Sequence, residues 1–590
     1  MPAAPGGGLE VRLADPFWAP RQAQLRDLTL PVLLDRLEAH GVVDNFRRLS
    51  GRSAVPRRGL WFTDSDLYKW MEAAAWAGRS DLLDPVVELV AAAARPDGYL
   101  STFYDSGPGS PGRYQDLDNS HEWYCGGHLI EAALAHSHLT GSDALLHTAT
   151  RWADHLCASF GPRGDDRVDG HPEVELALVR LARSTGQERY LAQAEWIIER
   201  QLTNAGLSLN DVQLGGHAVK ALYLASAIAE VALAGAVERY ADAARRLFSS
   251  MIDEHSYPTG AVGGRWLDES IGKPFELPDA MAYAESCAAV AATQFCHRIW
   301  ELTGDPRSLE QAELLLFNTV PCGTGADGES WFYSQPHAVA DVAPESNPWV
   351  RPYEYQQSML LEWFPARRHR WFDVTCCPTS LARMFATVHH HVATLDAHGD
   401  VLIHLPVAAR LAGGGWDIEV LSDYPEGSDV RVVIHSAPRG RRVLVRVPTW
   451  AGGDGHVPVA ADGRVHIPVR PAWWETDPRV EGAGRTVFLR YGPVVHCVEQ
   501  LDLSGVALDE LRVDPTHPPE TAFSVQPGGK PAGLHHPVDL GQGEHAMAPV
   551  SVTTIPYHQW ANRGITAMQI RFARRSAPRW PSREGDAQSL

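Results

Sequence analysis

Cysteine is scarce in this chain: eight residues in 590, irregularly spaced. That excludes a disulfide framework, implies a reducing compartment, and makes any cysteine cluster a candidate for metal binding or catalysis. Positive charge is also short. A formal net charge of −20 argues against nucleic acid and anionic membranes as partners, because both would be repelled. No stretch approaches 18 uninterrupted apolar residues, and the N-terminus, MPAAPGGGLEVRLADPFW, has neither a basic region nor an apolar run. A soluble, cytoplasmic protein is expected. Neither H-E-x-x-H nor a Cys-x-x-Cys deaminase signature occurs, which argues against a zinc-water hydrolase.

What is present is a folded composition, 44% hydrophobic and 21% charged, in a chain too long for one comfortable core. Two or three domains are expected. Nineteen Trp suit a protein that grips flat apolar faces such as sugar rings, although core packing uses Trp equally.

From about residue 25 to 395 the hydrophobic period is helical and the segments are rich in Ala and Leu, as in GGHLIEAALAHSHLTG and AVKALYLASAIAEVALAG. HLTGSDALL, RSTGQERYL and ELTGDPRSL each place Thr-Gly after an apolar helix, so Gly141, Gly186 and Gly304 read as the ends of helices in α-hairpins. Stacked hairpins form either an open solenoid or a closed toroid with a central pocket, and periodicity does not choose between them.

After about residue 400 the pattern becomes short alternating stretches, VRVVIHS, RVLVRVPTW and RTVFLRYGPVVHCVEQ, separated by Gly, Pro and Asp. That is antiparallel β, read as a sandwich. The expected organisation is an N-terminal segment (1–24) packing on the β part, a helical domain (25–395), one or more β-sandwich domains (396–574), and a disordered tail (575–590).

The longest motif-like stretch, TGAVGGRWLDESIGKPFELPDAMAYAESC at 259–287, carries Glu269, Glu285 and Cys287 and leads into a helix. Residues two apart diverge on a helix but share one face when extended, so Glu285 and Cys287 act together only if they precede the helix proper. A helix N-terminus would also favour a thiolate at Cys287. Cys376 and Cys377, in FDVTCCPTS, complete a set of three sulfurs and one carboxylate of the kind that suits tetrahedral zinc. Buried inert cysteines and a strained vicinal disulfide are the alternatives at this point.

Several segments together carry a resemblance: the E-S at Glu269, LPD at Leu277 to Asp279, AYAESC ending at Cys287, and DVTCCP ending at Pro378. WFTDSDLYKWMEAAAWA, NSHEWYCGGHLIEAALAH, DGHPEVELALVRL, ELLLFNTVPCG, WFYSQPHA and IPYHQWANRG extend it over nearly the whole chain. The sequence resembles glycoside hydrolase family 127, the β-L-arabinofuranosidases. The resemblance implies an (α/α)6 barrel followed by β-sandwich domains, hence a toroid rather than a solenoid.

It further implies a retaining glycosidase in which Cys376 is the nucleophile and Glu285, Cys287, Cys376 and Cys377 hold Zn²⁺. Glu269, just before LPD, is implied as the acid/base. Asp268 stands where the family often has Gly, which makes it a rival, and its charge would raise the Glu269 pKa. His128, His171, His217, Glu313 and Tyr333 are implied to contact the sugar. The run His389, His390 and His391 diverges on a helix and is left out of the site. The expected partner is an arabinofuranose-containing oligosaccharide or glycoside, with a homodimer left open. Rival readings are another sugar-processing activity on the same barrel and a non-catalytic structural-zinc protein.

Overall fold

A computed structural model describes residues 8–340, 367–503, 506–517, 523–525, 548–549 and 552–574. The expected tail at 575–590 lies outside the described residues. The helical part contains α1 (Trp18–Gln24), α2 (Leu30–Ala39), α3 (Val42–Leu49), α4 (Asp64–Trp76), α5 (Ser80–Ala93), α6 (Leu117–Ser120), α7 (Glu122–Thr140), α8 (Ala144–Ser159), α9 (Val174–Thr185), α10 (Glu188–Asn204), α11 (Ala218–Gly235), α12 (Glu238–Glu254), α13 (Ser286–Thr303), α14 (Pro306–Phe317), α15 (Thr319–Cys322) and α16 (Cys376–Thr387).

Two kinds of helix alternate. α4 is buried from Asp64 through Ala75, on every side. α12 instead buries one stripe, including Tyr240, Ala244, Leu247 and Met251, as expected of a helix with one face toward solvent. The more deeply buried helices close a ring: α4 packs on α7, α7 on α9, α9 on α11, α11 on α13, α13 on α16, and α16 returns to α4. α5, α8, α10, α12 and α14 each pack on the preceding ring helix. Gly141, Gly186 and Gly304 end α7, α9 and α13 with left-handed φ of 71°, 70° and 66°, so the Thr-Gly repeat marks the turn from ring helix to outer helix.

Close packing explains the glycine pair inside α7. A Cβ on Gly126 would stand 2.0 Å from the Trp152 ring, and one on Gly127 would stand 2.7 Å from Glu173 Cγ, so ring helix, outer helix and the loop before α9 meet there at backbone distance. α11 has the length and apolarity to cross a membrane, yet 67% of it is buried in the fold, and its Glu230 pairs with Arg298 at 2.9 Å.

Among the described residues the strand-rich region holds three sheets. Glu10–Leu13 joins Ala409–Gly413 with Val11 opposite Leu411, as the edge of a five-stranded sheet continuing through Trp416–Ser422, Asp429–Ser436 and Arg464–His466. A four-stranded sheet begins at Ala393–Leu395. The largest sheet is built around Thr486–Tyr491 and Val494–Glu499 and also takes in Ala338–Val339, which pairs with Met568–Gln569. Pairing is not wholly antiparallel as expected: Val401–Ile403 runs parallel to Val443–Val447, and Arg512–Val513 parallel to Arg571–Arg574. Alternation within one strand fixes which face is buried but not the direction of its neighbour.

One apolar core unites the ring helices with the first two sheets, so that Leu67, Val401 and Ile418 belong to it together. Residues such as Val487, Leu511 and Phe572 form a separate core.

Candidate active site and metal centre

Two helix N-termini bring the four ligand-type residues together. Glu285 is the N-cap of α13 in extended conformation (φ −63°, ψ 142°), and its strand-like backbone bridges to Ser334. Cys287 is the second residue of α13, and Cys376 and Cys377 open α16. The expectation that Glu285 and Cys287 both precede the helix is therefore corrected. Only Glu285 does, and the change from extended to helical backbone at Ser286 lets both side chains reach the same point.

Glu285 Oε1 lies 3.4 Å from Cys376 Sγ and 3.3 Å from Cys377 Sγ. Cys287 Sγ is 3.5 Å from Cys377 Sγ, and the adjacent sulfurs Cys376 and Cys377 are 3.8 Å apart. That separation is far outside an S–S bond of about 2.05 Å, and all eight cysteines are free. Ligand atoms of the four residues lie within 4.8 Å of one another. Glu285, Cys287 and Cys377 are buried, whereas Cys376 is half-buried.

The electrostatics of this cluster are those of crowded anions. Burial, then the charges of Cys376 and Glu269, push the Glu285 carboxyl well above the carboxylate range. The Cys376 thiol is raised by its contact with Cys287 and by burial, and Cys377 by burial first. Against burial, sulfur contacts with Cys376 and Cys377 hold Cys287 down at about 6. Three sulfurs and one carboxylate oxygen at this spacing fit a tetrahedral, thiophilic divalent cation, whose charge would relieve the same crowding.

Glu269 stands in the loop before α13 with a left-handed φ of 55°. Its Oε1 accepts from the Tyr283 and Tyr333 hydroxyls, each at 3.1 Å, and Oε2 lies 3.3 Å from His217 Nε2. His217 caps α11, its Nδ1 accepting the Val219 N–H at 3.2 Å, so Nε2 is the ring nitrogen that donates toward Glu269. Burial alone would raise the Glu269 pKa, but His217, Tyr283 and Tyr333 more than offset it and hold the carboxyl below its ordinary value. This corrects the expectation that Asp268 raises it. The Asp268 side chain is 56% exposed and accepts from Ser270 Oγ at 2.8 Å, turned away into its own loop.

His171 lies 4.3 Å from the Tyr124 ring and 6.1 Å from the His217 ring, and Tyr124 is 4.6 Å from His128. Burial keeps His128 and His171 well below the usual imidazole pKa and hence neutral. His128, fully buried, has Nδ1 3.2 Å from Glu173 Oε1.

A family model described as the β-L-arabinofuranosidase, GH127 catalytic domain matches residues 10–390. The chain belongs to glycoside hydrolase family 127. The GH127 C-terminal domain matches residues 471–573, which encloses the separately packed β core. A non-reducing end β-L-arabinofuranosidase of Bifidobacterium longum subsp. longum is 28% identical over 96% of this chain and 100% of its own. The crystal structure of a GH127 β-L-arabinofuranosidase from Geobacillus stearothermophilus T6 superposes with TM-score 0.82 at 27% identity, covering 96% of this chain and 100% of that one. A GH127 β-arabinofuranosidase structure gives TM-score 0.83 at 25% identity, covering 97% and 98%.

One implied sugar contact of this GH127 chain is not brought to the site. Glu313 is buried, its Oε1 taken by Tyr424 Oη at 2.5 Å and by Arg446, and its Oε2 by Trp450 Nε1 at 3.1 Å. Every partner comes from the β region, so Glu313 bolts α14 to the sheets. His389, His390 and His391 form a 3-10 turn, with His390 4.7 Å from Trp76 and His391 4.9 Å from His297. Sequence reasoning missed Tyr283, whose hydroxyl reaches Glu269 and, at 2.5 Å, Glu285 Oε2. The signal was available in AYAESC: Tyr283 and Glu285 are two apart in an extended stretch and share a face.

Proposed function

We propose that this glycoside hydrolase removes β-L-arabinofuranosyl residues from non-reducing ends with retention of configuration, using Cys376 as nucleophile and Glu269 as acid/base. The observation that carries this is the asymmetry of the cluster. Cys376 is its half-buried sulfur while Glu285, Cys287 and Cys377 are buried, and Tyr283 links the cluster to a second carboxylate, Glu269. A closed structural site would need no such acid. The ring of six helices supports an (α/α)6 barrel, and the strand-rich region supports β-sandwich units.

Glu285, Cys287, Cys376 and Cys377 would hold Zn²⁺. When bound, zinc supplies the positive charge that keeps sulfur ionised at neutral pH.

In the first half-reaction Cys376 Sγ attacks the anomeric carbon while Glu269 gives its proton to the departing glycosidic oxygen, leaving a thioglycosyl-enzyme and a free alcohol. In the second, Glu269 takes a proton from water, whose oxygen displaces Cys376 Sγ and releases the sugar. Two inversions give retention.

The Tyr333 hydroxyl on Glu269 Oε1 and His217 Nε2 on Oε2 hold the acid/base carboxylate in place. His128 and His171, kept neutral by burial, together with His217 and Tyr333 offer donors and acceptors of the kind sugar hydroxyls need.

Intact-mass and peptide mapping after incubation with a mechanism-based β-L-arabinofuranosyl reagent tests the proposal. An adduct on the peptide containing Cys376 is expected. Full hydrolytic activity in Cys376→Ala would overturn it.

A further inference from the structure

WFTDSDLYKW, at 61–70, contributes no group to the chemistry above, yet it supplies a buried ion pair behind the helix that carries Cys376. Asp66 and Lys69, one turn apart on α4, are 0% and 1% exposed, with Lys69 Nζ 3.3 Å from Asp66 Oδ1. Asp66 Oδ2 accepts the hydroxyl of Thr375 at 2.8 Å. Lys69 Nζ also donates to Tyr124 Oη at 3.2 Å, and the Tyr124 ring packs on His128 and His171.

Thr375 is the N-cap of α16, immediately before Cys376. A threonine at that position ordinarily turns its oxygen onto a backbone N–H two or three residues ahead. Thr375 makes no such bond, because its hydroxyl points out of the helix to Asp66. Side chains on the first helical residues lean back past the N-terminus, so the sulfurs of Cys376 and Cys377 lie at the positive end of the helix, where negative charge is favoured. A bare Asp66 carboxylate would oppose that charge. Lys69 balances it.

We propose that Asp66, held and neutralised by Lys69, is a positioning residue for the nucleophile: through the Thr375 hydroxyl it fixes the first turn of α16 and thereby the direction of Cys376 Sγ. The inference rests on Cys376 being the nucleophile. Bonded to Tyr124, Lys69 also ties this support to His128 and His171, which the proposed function offers to the sugar.

The test compares Thr375→Val, which removes the hydroxyl at nearly constant volume, with Thr375→Ser, which keeps it, in the full-length metal-loaded enzyme. A misaimed nucleophile costs turnover more than binding, so Thr375→Val should lower kcat roughly 10- to 100-fold with KM within about twofold, and Thr375→Ser should restore kcat. The rate of Cys376 alkylation by iodoacetamide, followed by peptide mapping, should fall in the Val variant and recover in the Ser variant. Metal stoichiometry and melting temperature should stay near the parent's.

A Val variant with parental kcat and alkylation rate overturns the proposal. So does one that loses metal while keeping the parent's turnover per bound ion, because the contact then holds the ligand set and not the sulfur's direction. Thr375→Ala, read by the same criteria, replaces the Val variant if that chain misfolds. Activity surviving in Cys376→Ala would instead remove the nucleophile assignment, so the two failures are distinguishable.

Discussion

The Tyr283 hydroxyl stands 3.1 Å from Glu269 Oε1 and 2.5 Å from Glu285 Oε2. A phenol has one proton to give, so it donates to one carboxylate at a time, and the proposed acid/base and the proposed metal ligand share a single donor. Tyr283→Phe leaves both oxygens short of that donor. A hydrogen bond to a charged group is worth about 1.5–3 kcal/mol, so kcat should fall roughly 10- to 100-fold. Steady-state kinetics on the purified variant measure this, and parental kcat would show the bridge to be idle.

The pH profile follows from Glu269. Its pKa is held below the ordinary value by His217, Tyr283 and Tyr333 against burial. The first half-reaction needs the protonated form, which is lost as pH rises through that lowered pKa. kcat/KM should therefore be highest on the acid side and decline toward alkaline pH. His217→Ala removes a lowering partner, so the alkaline limb should move to higher pH. A limb moving the other way contradicts the assignment.

Cys376→Ala should abolish hydrolysis while the buried ligands Glu285, Cys287 and Cys377 retain metal weakly. Glu269→Gln should abolish turnover with full metal content. Metal analysis alongside activity separates the two roles, and a Glu269→Gln enzyme that turns over normally would exclude Glu269 as the acid.

Metal removal should cost stability as well as activity. A ligand that binds only the folded chain, present at 1,000 times its Kd, contributes about 4 kcal/mol. Chelator-treated enzyme should melt at lower temperature and recover on zinc addition, whereas Cys287→Ala and Cys377→Ala should not recover. Calorimetry with and without chelator decides it; identical melting curves would count against a bound metal.

Glu313→Gln should act on folding and leave substrate affinity alone. Breaking its pair with Arg446, both side chains 1% exposed, leaves a buried guanidinium undercompensated and should cost roughly 3–5 kcal/mol. Denaturant unfolding reads that loss. A raised KM at unchanged stability would return Glu313 to the sugar pocket.

The division into a helical part and a strand-rich part was legible because the period of apolar residues changes near residue 400, and the Thr-Gly endings of α7, α9 and α13 were legible because an αL residue after a helix favours glycine. The four residues of the Cys/Glu cluster were legible as ligand types. The surroundings of Glu313, which the resemblance implied as a sugar contact, were not legible, because a carboxylate on a helix reads the same whether it faces a sugar or an arginine from a sheet 133 residues later. Asp268 misled for a related reason: neighbours in sequence need not face the same way, and a left-handed φ at Glu269 turns the two apart.

The sequence by itself determined local matters: helix or strand, where helices end, which positions carry sulfur or carboxylate, and which partners a charge of −20 disfavours. Tertiary structure alone decided which of those groups meet. Cys287 and Cys377 are 90 residues apart in the chain and 3.5 Å apart at sulfur, and Asp66 reaches Thr375 across 309 residues. Such meetings depend on the ring closing α16 onto α4 and α13, which is a property of packed helix faces summed over the whole domain and not of any one segment's spacing.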